Sequence, residues 1–134
     1  MRILDNWNHI LEKHKVNDAQ YYEEYAKLYG CCKMFYLEDK KSFAFIIIKL
    51  GAEFNDFETP YGYGSFYTNN YENDFCDMFF STLFEELRNK NIFAGLIRFN
   101  PLYPLPETSC FEFEFIRNVA VIDNMKTPNT EYSE

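Results

Sequence analysis

Apolar and polar positions along this chain change period several times, and each change marks an element. Trp7, Ile10 and Leu11 lie at the spacing of one helix face, which predicts a short helix over residues 5–15. Asn17-Asp18 then offers an N-cap. Tyr21, Tyr22, Tyr25, Leu28 and Tyr29 follow at helical spacing, and Gly30 is placed to cap the far end. Period two takes over next: residues 33–37 predict a strand, Glu38-Asp39-Lys40-Lys41 a charged turn, and residues 42–49 the partner strand. Within it, Phe43-Ala44-Phe45-Ile46-Ile47-Ile48 is apolar on both faces, the pattern of an interior strand.

Residues 53–59 make a more polar third strand, and residues 60–71, rich in Gly, Tyr and Asn, a loop. Phe75, Met78, Phe79, Leu83 and Leu87 give residues 73–90 the apolar stripe of a long helix. The continuous apolar run at 92–99 comes after that helix, which predicts a parallel interior strand ended by Asn100-Pro101. Pro104 and Pro106 keep the next stretch extended. Residues 111–116 and 119–123 read as late strands, and residues 126–134 as a polar tail or the start of a linker. The expected fold class is α/β (α+β): a single domain over residues 1–125, with a mixed, mostly antiparallel sheet flanked by helices. This order is similar to the layout of GNAT-type acetyltransferases, an analogy of fold that gives no function by itself.

Composition narrows the function classes. A chain of 134 residues fits one domain, and its 20% aromatic content points to a large buried or ligand-facing aromatic surface rather than to disorder. The net charge of -8 argues against DNA or other nucleic acid as a direct partner, and against electrostatic attachment to an anionic membrane. Cys31, Cys32, Cys76 and Cys110 have no zinc-site spacing and read as reduced thiols of a cytoplasmic protein. Residues 1–5 lack the apolar run of a secretion signal, and residues 43–50 are too few to span a bilayer, so no transmembrane segment is expected.

His9 and His14 are read as solvated or capping residues. Glu112 and Glu114 alternate with phenylalanines as in a two-faced strand, and Glu85, Glu86, Arg88 and Lys90 as a solvated helix end. No nucleophile–base pair, carboxylate pair or metal cluster can be read, so no catalytic residue, metal or cofactor is assigned.

Two central stretches carry a resemblance. Thr59-Pro60-Tyr61-Gly62-Tyr63-Gly64-Ser65 and Ile97-Arg98-Phe99-Asn100-Pro101-Leu102 resemble the Pro-Tyr-Gly-Tyr-Gly-Gly and Arg-Phe-His-Pro stretches of FemAB-like aminoacyltransferases. Asp18-Ala19-Gln20-Tyr21-Tyr22-Glu23-Glu24-Tyr25 and Val119-Ala120-Val121-Ile122-Asp123 are similar to that family's early helix and to the strand that closes its first domain. Ser65 stands where the family has a second glycine, and Asn100 where it has His; Asn cannot act as a base near neutral pH.

The resemblance implies the N-terminal GNAT-type domain of a transferase that adds amino acids to a peptidoglycan precursor or a similar peptide-sugar acceptor. The donor, aminoacyl-tRNA, would come through a second domain not in this sequence, so the chain alone is not expected to be active. The acceptor-binding residues it implies are Tyr61, Gly62, Tyr63, Gly64, Ser65, Arg98 and Asn100. Physically, the tyrosines would form a wall for sugar, nucleotide or peptide, or else cover a sheet edge beside a glycine turn. Arg98 would fork onto phosphate or carboxylate, or else sit in a buried ion pair. The alternatives are a non-catalytic binding or assembly module with a degenerate acetyltransferase fold, pairing with itself as a homodimer or with another chain, and a stand-alone acetyl-CoA-dependent N-acetyltransferase. Against the last counts the lack of any Arg or Lys between Gly51 and Arg88, where a pyrophosphate-binding loop would carry one.

Overall fold

The elements run in the order β1 (Arg2–Leu4), α1 (Asn8–Lys13), α2 (Glu23–Ala26), β2 (Cys32–Asp39), β3 (Ser42–Leu50), β4 (Asp56–Glu58), β5 (Phe66–Thr68), α3 (Asn73–Asn89), β6 (Ala94–Arg98) and β7 (Val119–Ile122). They are taken from a computed structural model that describes residues 1–51, 56–60, 65–111 and 119–122. The strands form one sheet in the order β1-β2-β3-β4-β6-β7, with β5 also paired to β3. Every pairing is antiparallel except β4 with β6, which the α3 crossover makes parallel. The chain is thus a mixed α/β structure with a mostly antiparallel sheet.

The sheet is covered on both faces around β3. Ala44, Ile46 and Ile48 pack into one cluster with Phe75, Phe79, Phe80, Leu83, Phe84 and Leu87 of α3. Phe43, Phe45 and Ile47 point the other way, into a second cluster with Trp7, Ile10, Leu11, Tyr21 and Ala26. Alternation along a strand puts successive side chains on opposite faces, so a strand buried on both must be apolar throughout. That is why β3 reads as an unbroken apolar run.

Three local expectations change. The first helix is shorter than 5–15, and an edge strand, β1, precedes it. Its N-terminus is capped from a distance: Glu23 Oε2 accepts the Trp7 and Asn8 N–H groups at 2.8 and 2.9 Å. The single helix expected over the tyrosine-rich stretch is replaced by 3₁₀ turns at Ala19–Tyr21 and Lys27–Tyr29 on either side of α2. Tertiary bonds outcompete the helical ladder there. The Tyr21 carbonyl accepts the Trp7 indole N–H at 2.8 Å, and Tyr22 is extended at φ -77°, ψ 154°. Gly30 does end the segment, at φ 124° in the left-handed region. The loop expected at 60–71 contains β5, held by pairing with β3 rather than by its own residues. The third strand, expected over 53–59, is described only at Asp56–Glu58. Most of the strand expected at 111–116 and the tail at 126–134 lie outside the described residues.

Candidate functional site

One edge of β3 is shared by two short strands. β4 pairs with Lys49 and Leu50, and β5 with residues 44–46, both antiparallel to β3. They run in the same direction, as two halves of one strand interrupted by residues 59–65. β4 goes on to pair with β6, whereas among the described residues β5 pairs with β3 alone. The sheet therefore splits past Glu58 and Leu96, and Thr59 and Ser65 lie at this fork.

Polar side chains collect at this fork. Thr59, Ser65, Thr68 and Asn100 are the buried polar residues among those described, and three of the four lie here. The Thr59 N–H donates to the Leu96 carbonyl at 3.1 Å, which ends the parallel pairing. Thr59 Oγ1 accepts the Arg98 N–H at 2.9 Å, and its carbonyl accepts Arg98 Nη1 at 2.5 Å. From the far side of the interruption, the Ser65 hydroxyl donates to the Arg98 carbonyl, and the Ser65 carbonyl accepts the Ile47 N–H at 2.9 Å. Asn100 Oδ1 turns back to accept the Leu102 N–H at 2.9 Å. Tyr21 reaches the fork from the other layer, its hydroxyl donating to the Phe66 carbonyl at 3.3 Å, and Asn100 is close enough to act on its phenol. Burial pushes the Tyr21 phenol well above its ordinary pKa, so it stays a neutral donor.

Burying polar groups is tolerable only when they are bonded, and no described buried side-chain N or O lacks a partner. Arg98 also stands 3.6 Å from Glu58, whose side chain is half exposed, so the pair lies at the surface and is not the buried ion pair that an apolar strand suggested. The arrangement ties the two motif stretches into one unit. Ser65 contacts no described base, and the described residues hold no group of three metal-ligating side chains.

The fork brings together Ser65, Arg98 and Asn100 from the seven expected site residues. Tyr61, Gly62, Tyr63 and Gly64 lie outside the described residues, although their neighbours Pro60 and Ser65 are buried. Sequence reasoning gave no role to Thr59, although it opens the quoted motif. It also missed Tyr21, whose helical spacing put it on an amphipathic face with no hint of the fork.

His14 lies elsewhere, closing α1 as its C-cap. Its ring stacks on Phe43 with centroids 3.6 Å apart, and Nε2 is 2.8 Å from the Tyr36 hydroxyl, which donates to Glu38. Burial lowers the His14 pKa, Lys13 lowers it further, and Glu38 opposes both. A histidine whose folded pKa is depressed binds fewer protons than in the unfolded chain. Its stability contribution is therefore full above the ordinary value of 6.5 and lost as pH falls toward the folded pKa. We expect the melting temperature to fall as the pH drops below about 6.5, and His14→Phe to flatten that part of the profile. An unchanged slope in the variant would remove His14 as the cause.

No protein-family model, curated protein or solved structure matches the chain. The fold and site define a mixed α/β domain whose sheet divides around a bonded polar cluster. No helix among the described residues is long and apolar enough to cross a membrane.

Proposed function

We propose that this chain is an acyltransferase-type domain of GNAT-like topology that binds an acceptor at the fork of its sheet, in the manner of the first domain of a FemAB-like aminoacyltransferase. One observation carries the reading. The two stretches on which the resemblance rests, 33 and 39 residues apart at their bonded positions, meet through Ser65, Thr59 and Arg98. The element order supports it as well: helices between the first two strands, an antiparallel meander, and a crossover helix into a parallel strand. The acceptor class is a peptidoglycan precursor or similar peptide-sugar carrying an amine. The donor ester, aminoacyl-tRNA, would be presented by a second domain. The amine nitrogen forms the new amide, the ester C–O bond breaks, and the proton leaves with the released hydroxyl. Positioning of the two reactants supplies much of the rate in such a step, which needs no nucleophilic side chain.

A second reading, a non-catalytic assembly module, is favoured by the partnering of every buried side-chain N and O among the described residues. Calorimetric titration separates the two. Saturable heat with UDP-muramoyl pentapeptide and none with acetyl-CoA is the expected result. Silence with both ligands alongside a stable dimer would favour the module, and saturable acetyl-CoA binding would restore the N-acetyltransferase alternative.

A further inference from the structure

Strand β2 outruns its edge partner. β1 pairs with β2 only from Met34 to Tyr36, whereas β3 pairs with it as far as Asp39. Leu37 and Glu38 therefore have a strand on one side alone among the described residues. A cavity of about 260 Å³ opens at this step, lined by Met1, Arg2, Tyr36, Leu37 and Glu38. It shares no residue with the fork.

Two opposite charges line this cavity. Arg2 is the cross-strand partner of Tyr36, and Glu38 follows Tyr36 by two, so all three belong to one face of the sheet. The Arg2 guanidinium lies 5.0 Å from the centre of the Tyr36 ring. Among the described residues it forms no ion pair, with Glu38 or with any other acid. The Glu38 carboxylate is held through one oxygen. Its Oε2 accepts the Tyr36 hydroxyl and Lys13 Nζ, the latter at 2.9 Å. Since Tyr36 gives its proton to Glu38, its oxygen is left to accept from His14 Nε2, 2.8 Å away. The His14 ring in turn stacks on buried Phe43. Glu38 Oε1 takes no hydrogen bond among the described residues.

The cavity thus holds a positioned carboxylate and a guanidinium that are not paired with each other. A bare anion there would meet Glu38, and a bare cation Arg2. A ligand that carries both charges satisfies both groups. The volume falls below the roughly 300–1,000 Å³ of drug-sized sites, which restricts the ligand to a small molecule.

We propose that this cavity binds a small zwitterion, a free α-amino acid. Arg2 takes the carboxylate and Glu38 Oε1 the ammonium, while the apolar residues Met1 and Leu37 face an aliphatic side chain. The site does not depend on acyl transfer, whose donor ester has no free carboxylate for Arg2.

Calorimetry on the intact chain tests it with three probes: L-leucine, L-leucine methyl ester, which lacks the carboxylate, and 4-methylpentanoate, which lacks the ammonium. L-leucine is expected to saturate, with each analogue at least roughly ten-fold weaker. Arg2→Met is expected to weaken L-leucine roughly ten-fold and to leave the ester no weaker than before. Glu38→Gln is expected to weaken L-leucine by a similar factor and to leave 4-methylpentanoate no weaker. Both residues are exposed, and thermal melts check that the variants fold. A folded wild-type chain that does not saturate with L-leucine would overturn the proposal, as would an ester that binds as tightly as the free acid. Arg2→Met weakening acid and ester alike would overturn it too.

Discussion

Phe80→Ala is expected to cost about 3–5 kcal/mol of stability, the usual range for emptying a fully buried aromatic position. Phe80 is wholly buried at the centre of α3. Its ring lies 5.1 Å from those of Phe66 and Phe79, 4.8 Å from Phe111 and 6.1 Å from Phe84. Phe66 belongs to β5 and Phe84 to α3, so this one ring joins the crossover helix to the strand beside the fork. Truncation leaves a cavity whose walls, themselves large and fixed by neighbours, close over it only in part. A domain of ordinary stability, about 5–15 kcal/mol, would lose a large share, and its melting temperature would fall by roughly 10–20 °C. Leu28→Ala is the control: Leu28 is 76% exposed and its truncation is expected to stay within about 0.5 kcal/mol. Denaturant melts of the two variants that gave equal losses would contradict the packing of α3 described here.

Gly95→Ala is expected to cost about 2–3 kcal/mol by overpacking. Gly95 pairs directly with Phe57 across the parallel β4–β6 ladder. A Cβ at position 95 would come within 2.1–2.6 Å of three atoms of the Phe57 ring, which is itself buried in the α3-side cluster. The two strands would have to part, and they are the pair that runs up to the fork. Phe57→Leu is the partner substitution. With the ring gone, Gly95→Ala is expected to cost much less than in the native background, an interaction of about 1–2 kcal/mol in a double-mutant cycle. Strictly additive costs would mean that the ring does not lie over the glycine.

The parts of the fold legible from sequence are those whose side-chain pattern matches their burial. β3 is apolar from Phe43 to Ile48 because residues of the helices lie on both of its faces, and α3 shows a stripe because only one of its faces meets the sheet. β1 and β5 have three residues each, too few for a period, and exist because a longer strand pairs with them. The tyrosine-rich stretch has helical spacing, yet the side chains of Trp7 and Asn8 draw its backbone into other bonds, at the Tyr21 carbonyl and the Glu23 N–H. Tertiary context overrode local pattern there. At the site, Arg98 and Asn100 were legible because charge and amide interrupt an apolar run. Thr59 and Tyr21 were not, since a threonine before a proline and one tyrosine among eleven carry no distinguishing pattern.

The fork as a ligand-binding site is tested most directly by amide-resolved NMR of the isotope-labelled chain, titrated with UDP-muramoyl pentapeptide. Progressive, saturable shifts of the Ser65, Phe66, Arg98 and Asn100 amides are expected, with those of the α1–β2 face, such as His14 and Tyr36, unmoved. Shifts confined to residues away from the fork, or none at saturating precursor, would contradict it.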